Sequence, residues 1–264
     1  MFAEHLDRWG LTPDGAPIVT RSGRLLPVRQ GEVPAMLKLA SAEEGGAGAA
    51  LMSWWNGDGA ARVLATSGDA LLLERAQGHR SLADMATSGQ DDEASRLICG
   101  VVAKLHARRG DPPPGLVPLN RWFRELEPAA ARRGGILTRA AAAARELLAA
   151  PQNNRALHGD IHHDNILDFG EGGWRAIDPK GLIGERGFDY ANMFCNPNHD
   201  IATEQGRLAR RAAIVCEASG LSRERLLQWV LAYAGLSAAW LISDGEDPQL
   251  PLAVAEAAAE LVPH

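Results

Sequence analysis

The chain has 264 residues, 46% of them apolar and 23% charged, which excludes a disordered polymer and allows one large domain or two small packed ones. A net charge of −6 denies it the basic footprint that nucleic acid requires and suits a positively charged small molecule better. Cys99, Cys195 and Cys216 are too scattered for a disulfide framework or a zinc ribbon, so a reducing, cytoplasmic setting is expected.

The opening Met-Phe-Ala-Glu-His-Leu-Asp carries acidic residues where a secretory signal has a cationic start and an apolar run. Residues 1–77 then read as sheet-rich. Apolar runs at 23–28 and 33–39 flank an Arg-Gln-Gly-Glu turn, and a second pair at 62–66 and 70–75 flanks Ser67-Gly68-Asp69. Between the pairs, 42–55 is expected to be helical despite Gly45, Gly46 and Gly48. From residue 78 to 264 the pattern is helical. Asp91 or Asp92 is placed to cap a helix whose apolar stripe runs through Leu97, Ile98, Val101, Val102 and Leu105. Arg108 and Arg109 complement its C-terminal dipole, and Pro112 to Pro114 stop it. Residues 138–150 form an alanine-rich helix ended by Pro151, and Ser222 starts another. That last helix contains 226–242, near the length of a membrane span, but Gln228 and Ser237 interrupt it and charges flank it; a buried helix is expected and no membrane association.

The chemistry concentrates in Leu157-His158-Gly159-Asp160-Ile161-His162-His163-Asp164-Asn165-Ile166-Leu167, followed by a glycine-rich turn and Trp174-Arg175-Ala176-Ile177-Asp178-Pro179. The runs 166–169 and 174–177 should pair as an antiparallel hairpin, which brings Asn165 and Asp178 out together at its open end. An amide oxygen and a carboxylate there suit Mg²⁺, a hard cation that leans on substrate phosphates. Asp160 precedes Asn165 by five residues, the spacing of a phosphoryl-transfer loop in which the aspartate orients the attacking hydroxyl. Upstream, Leu37 and Leu39 share one strand face while Met36 and Lys38 share the other. Lys38 is placed to hold donor phosphates if a helix carboxylate fixes it; Glu43 and Glu44 are available, and Glu44 is preferred. The strand through 71–76 would join the lobes, offering main-chain groups at Glu74 and Ala76 to the edge of adenine.

At these residues the chain resembles the aminoglycoside O-phosphotransferases, and in 158–167, 176–194 and 235–240 the streptomycin 6-kinase subgroup. The resemblance implies a two-lobed, protein-kinase-like α+β fold, ATP and Mg²⁺, and a streptomycin hydroxyl as acceptor. It also implies Asp160 as catalytic base, Asn165 and Asp178 as metal ligands and Lys38 as phosphate anchor. One departure is the single glycine, Gly23, in the loop over the phosphates. Trp240, Asp244 and Glu246 are candidates for gripping the guanidinium groups of a cationic antibiotic. Asp189 is expected to clamp the loop by accepting backbone N–H groups, and His158 to support it. No obligate protein partner is implied. Three other readings stand beside this one: another acceptor (a different aminoglycoside, hydroxyurea or a metabolite alcohol), an inactive nucleotide-binding pseudokinase, and a metal site at the histidine-rich loop. The last lacks the usual zinc-ligand spacing, and no Gly-Lys-Ser/Thr phosphate loop is present.

Overall fold

The computed structural model describes residues 2–20, 23–40, 46–107 and 109–262. A short helix, α1 (Ala3–Trp9), leads into a six-stranded antiparallel sheet of β1 (Leu11–Pro13), β2 (Ile18–Thr20), β3 (Gly23–Gln30), β4 (Val33–Ala40), β5 (Val63–Ser67) and β6 (Ala70–Glu74), with α2 (Ala47–Trp55) inserted between β4 and β5. Both expected hairpins form: Gln30 pairs with Val33 across Gly31-Glu32, and Ser67 with Ala70 across Gly68-Asp69. Gly31 and Gly68 sit at φ of 59° and 60°, a region side-chained residues avoid.

Alternation sorts the sheet into two faces. Leu26, Val28, Ala35, Leu37 and Leu72 are buried under Leu6 and Trp9 of α1. The alternate residues Leu25, Met36, Lys38 and Leu73 turn to the opposite face and roof a cleft. The helix expected over 42–55 is seen from Ala47; 41–45, and with them Glu43 and Glu44, lie outside the described residues. The glycine at the start of α2 has a packing reason. A side chain on Gly48 would collide with the carbonyl of Pro179, so its absence lets the sheet lobe's helix touch the loop after Asp178.

The second lobe contains α3 (Leu82–Thr87), α4 (Asp91–Leu105), β7 (Val117–Pro118), α5 (Leu119–Trp122), α6 (Leu126–Arg133), α7 (Ile136–Ala149), β8 (Asn154–Leu157), β9 (Ile166–Asp168), β10 (Trp174–Ala176), β11 (Leu182–Glu185), α8 (His199–Ala202), α9 (Arg207–Ser219), α10 (Arg223–Asp244) and α11 (Gln249–Leu261). The two lobes are the α+β arrangement expected. Ser222 caps α10 by accepting the Arg225 N–H, as its position predicted. Among the described residues α10 is the one helix long and apolar enough to cross a membrane, yet 67% of its most apolar window is buried within the protein. Gly235 lets it approach α7, because a β-carbon there would strike Ala140.

The expected cap on α4 is not made. Neither Asp91 nor Asp92 caps the helix; Asp91 is buried and receives Arg207 through Nε at 2.9 Å and Nη2 at 2.8 Å, with Arg211 on the same oxygen. Two guanidiniums from α9 outcompete the helix end for this carboxylate, and Asp92 is drawn to Arg210 in the same way. Burial alone would raise the Asp91 carboxyl; the hydrogen bonds and charges of Arg207 and Arg211 outweigh it and hold the group ionised below its ordinary range. Arg211 also donates to the carbonyls of Met193 and Asn196 and to His163 Nε2, the last at 3.3 Å. Because arginine only donates, His163 must be neutral with its proton on Nδ1. Burial, reinforced by Arg211 and Arg207, pushes its pKa from 6.5 to about 3.

A folded-state pKa below the unfolded value means that His163 favours the fold fully above pH 6.5 and progressively less as pH falls toward 3. Between pH 7.5 and 5 this one group should remove about 2 kcal/mol of stability. Urea unfolding at both pH values should show that loss in the wild type and a smaller one in His163→Asn; equal losses would remove the assignment.

Candidate active site between the lobes

The hairpin β9–β10 forms in the expected register, Ile166 opposite Ala176 and Asp168 opposite Trp174. The Ile177 N–H donates to the Asn165 carbonyl at 2.9 Å, so Asn165 and Asp178 flank its open end. Asp178 sits at φ 62°, a left-handed conformation that aspartate tolerates better than most residues. These residues face a cleft of about 1270 Å³. Met36, Leu73, Leu167 and Ile177 line it as an apolar slot, with Glu74 and Ala76 also on its wall, while Lys38, Asp160, Asn165, Asp178 and Lys180 are among its charged and polar groups. A flat base beside a chain of phosphates matches that division.

Lys38, buried with 8% exposure, forms an ion pair with Asp178 Oδ1 across 140 residues of sequence. Asp160 is gripped from two directions: Asn192 Nδ2 donates to Oδ1 at 2.9 Å, and Lys180 Nζ stands 3.3 Å from Oδ2. Asn196 donates in turn to Asn192 Oδ1 at 3.1 Å. The Asn165 amide nitrogen donates to the Asp160 carbonyl at 2.9 Å, which leaves its oxygen as the atom suited to a cation. That oxygen and the Asp178 carboxylate form an all-oxygen donor set of the kind Mg²⁺ accepts, so the residues fit the ion.

The loop bearing Asp160 is fixed from beneath. Asp189, 1% exposed, accepts the N–H of His158 at 2.9 Å and of Gly159 at 2.7 Å, and pairs with His106 Nε2 at 2.8 Å. Burial would raise its carboxyl, but the His106 bond and charge and the Gly159 N–H prevail and keep it ionised below the usual range. His158 accepts the Asp160 N–H on Nδ1 at 3.2 Å, so Nε2 carries the proton and donates to the Ile177 carbonyl at 2.8 Å. Complete burial pushes its pKa down, in keeping with a neutral ring that ties the loop to the strand before Asp178. With His158 and His163 committed to such bonds, only His162 of the three loop histidines lines the cleft, and the metal-site reading loses its ligands.

Other sequence candidates fall in different places. Glu74 lines the cleft, but its N–H is spent on the Arg62 carbonyl and its carboxylate on Arg175 and the Arg62 N–H. Ala76 lines the cleft, its carbonyl accepting Gln77 Nε2 at 2.9 Å. Trp122, which the sequence reading passed over, lines the cleft; Trp240 stands against it edge-on at 5.5 Å and is not among the cleft residues. Asp244 and Glu246 are exposed around the end of α10, also outside the cleft lining. Lys180, Asn192 and Trp122 were missed. For Lys180 a signal existed, a cation two residues after the expected metal ligand.

Comparison with known proteins gives this geometry its family. The family profile described as aminoglycoside/hydroxyurea antibiotic resistance kinase matches residues 8–245. A streptomycin 3''-kinase of Klebsiella pneumoniae is 53% identical over 91% of this chain and 92% of its own length. A streptomycin 6-kinase of Streptomyces glaucescens is 34% identical over 96% of this chain and 86% of its own. A hydroxyurea phosphotransferase of Kitasatospora aureofaciens is 32% identical over 96% and 76%. Among solved structures, aminoglycoside phosphotransferase APH(3'')-Id of Streptomyces rimosus, in complex with ADP and streptomycin, superposes with a TM-score of 0.58 at 21% identity over 89% of this chain and 95% of that one. A choline/ethanolamine kinase family protein of Mesorhizobium loti gives 0.68 at 14% identity over 99% and 95%. These likenesses establish the protein-kinase-like fold, and the sequence match goes further: the chain belongs to the aminoglycoside/hydroxyurea antibiotic resistance kinases.

Proposed function

We propose that this kinase moves the γ-phosphoryl group of ATP onto the 3''-hydroxyl of streptomycin, inactivating the antibiotic in the cytoplasm. The observation that carries the reading is the convergence of Lys38, Asp160, Asn165 and Asp178 on one cleft, with Lys38 paired to Asp178 and Lys180 within reach of both Asp160 and Asp178. Adenine fits the apolar slot, with the Glu74 carbonyl and the Ala76 N–H as the main-chain groups for its edge. Lys38 holds the donor phosphates, and Asn165 and Asp178 hold Mg²⁺, which when bound neutralises the charge of the β- and γ-phosphates. Asp160, locked by Asn192, orients the acceptor hydroxyl in line with the γ-phosphorus. The new P–O bond forms as the bond to the β-phosphate oxygen breaks; the hydroxyl proton passes late to the Asp160 carboxylate, and ADP leaves with the bonding electrons.

The 3'' position rests on the 53% identity to a protein named for it, against 34% and 32% to two named as 6-kinases. The 6-hydroxyl, expected from the motif resemblance, is the second reading. The cleft wall at Trp122 suits a guanidinium stacked on an indole.

Purified protein with ATP and magnesium should release ADP when streptomycin is added, and phosphorus–proton correlation should place the phosphate on the 3''-hydroxyl. Turnover with hydroxyurea or other aminoglycosides in place of streptomycin would overturn the acceptor, and no turnover with any would favour the pseudokinase. Asp160→Ala should lower kcat by about 10²–10⁴-fold while ATP still binds. Trp122→Ala should raise KM for streptomycin by about tenfold, or about 1.4 kcal/mol, and leave KM for ATP nearly unchanged. Equal effects on both substrates would take Trp122 out of the acceptor wall.

A further inference from the structure

Lys180 has no role in the scheme above, yet its ammonium lies 3.3 Å from Asp160 Oδ2 and 3.6 Å from Asp178 Oδ2. One of these carboxylates belongs to the acceptor side of the reaction and the other to the donor side. The phosphorus in transit must pass between them, so a cation within reach of both is within reach of it. The placement is fixed. The Lys180 N–H donates to the His158 carbonyl at 2.7 Å, its β-carbon packs where a β-carbon on Gly159 would come within 3.2 Å, and Gly181 turns the chain at φ 69° immediately afterwards. The backbone and β-carbon are thus held, and the side chain beyond them reaches the two carboxylates. The cleft is also lined by Lys38 on the donor side and by Arg75, whose guanidinium holds Asp14.

We infer that Lys180 is a catalytic residue whose ammonium donates to an equatorial oxygen of the γ-phosphoryl group during transfer. In a loose transition state the negative charge spreads over the three equatorial oxygens while the entering and leaving oxygens are both only partly bonded. A compact ammonium with three N–H donors can leave the carboxylates and follow that charge. It remains protonated throughout; the acceptor proton still goes to Asp160 and the bonding electrons still leave with ADP. Its carboxylate contacts hold it beside the path of the phosphorus, so the ammonium has only a short distance to move.

The inference rests on the phosphotransfer reading, and the two fail differently. Wild-type enzyme without turnover on any acceptor sinks the reading and the inference with it. With an active wild type, Lys180→Met and Lys180→Gln, each checked for an unchanged melting temperature, should lower kcat by about 10²–10³-fold. KM for ATP and for streptomycin should stay within about threefold, since the interaction is made in the transition state. Affinity for ADP should be unchanged, while affinity for ADP with aluminium fluoride and streptomycin falls by a factor matching the loss in kcat. A structural lysine would not produce that split. A kcat within about threefold of wild type, or a lowered kcat with full affinity for the aluminium fluoride complex, would overturn the assignment.

Discussion

The ion pair between Lys38 and Asp178 is the constraint on which the rest of the molecule depends. One partner comes from the second long strand of the sheet lobe and the other from the end of a hairpin in the helical lobe. Bringing them together requires the alternation that turns Lys38 away from the α1 core, and the register that places Ile177 opposite Asn165 so that Asp178 follows at the hairpin's open end. It also requires the close approach of α2 to the Pro179 carbonyl, which Gly48 permits. A charged pair this sheltered gains little net stability, because desolvation offsets most of its attraction. Its value is positional: it sets where the lobes meet and where a triphosphate would lie.

The floor of the cleft is stiffened by buried charges of a different kind. Asp189 and His158 determine the path of the main chain at Gly159 and Asp160, and Asp91 with Arg207 and Arg211 anchors the next turn at His163. Each carboxylate is surrounded by donors, so ionisation is maintained despite burial. Removing one partner from such a set leaves an uncompensated charge, at a cost of about 3–5 kcal/mol. In the proposed reaction, the acceptor hydroxyl would be met by a carboxylate, Asp160, whose backbone and side chain are both held.

Features governed by local pattern could be read from the sequence. The two-residue hairpins, the division of Met36 and Lys38 from Leu37 and Leu39, and the hairpin that unites Asn165 with Asp178 all follow from strand periodicity and turn chemistry. The clamp at Asp189 was also expected, although the N–H groups it accepts lie 30 and 31 residues away. Most other features that depend on distant partners were not readable. Asp91 looks like a helix cap until α9 supplies two arginines 116 and 120 residues later. Trp240 was the expected wall, but packing puts Trp122 on the cleft with Trp240 edge-on against it. The position of Lys180 two residues after Asp178 marks it as near the site, but that its ammonium reaches Asp160 depends on packing across 20 residues of sequence.

One ion should be shared by the amide oxygen of Asn165 and the carboxylate of Asp178 when nucleotide is bound. The most direct measurement is Mn²⁺ binding in the ADP complex, followed by electron paramagnetic resonance in wild type, Asn165→Ala and Asp178→Asn. Each substitution should weaken Mn²⁺ by about tenfold or more, equivalent to about 1.4 kcal/mol, without unfolding the protein. Undiminished Mn²⁺ affinity in Asp178→Asn would show that Asp178 does not hold the ion.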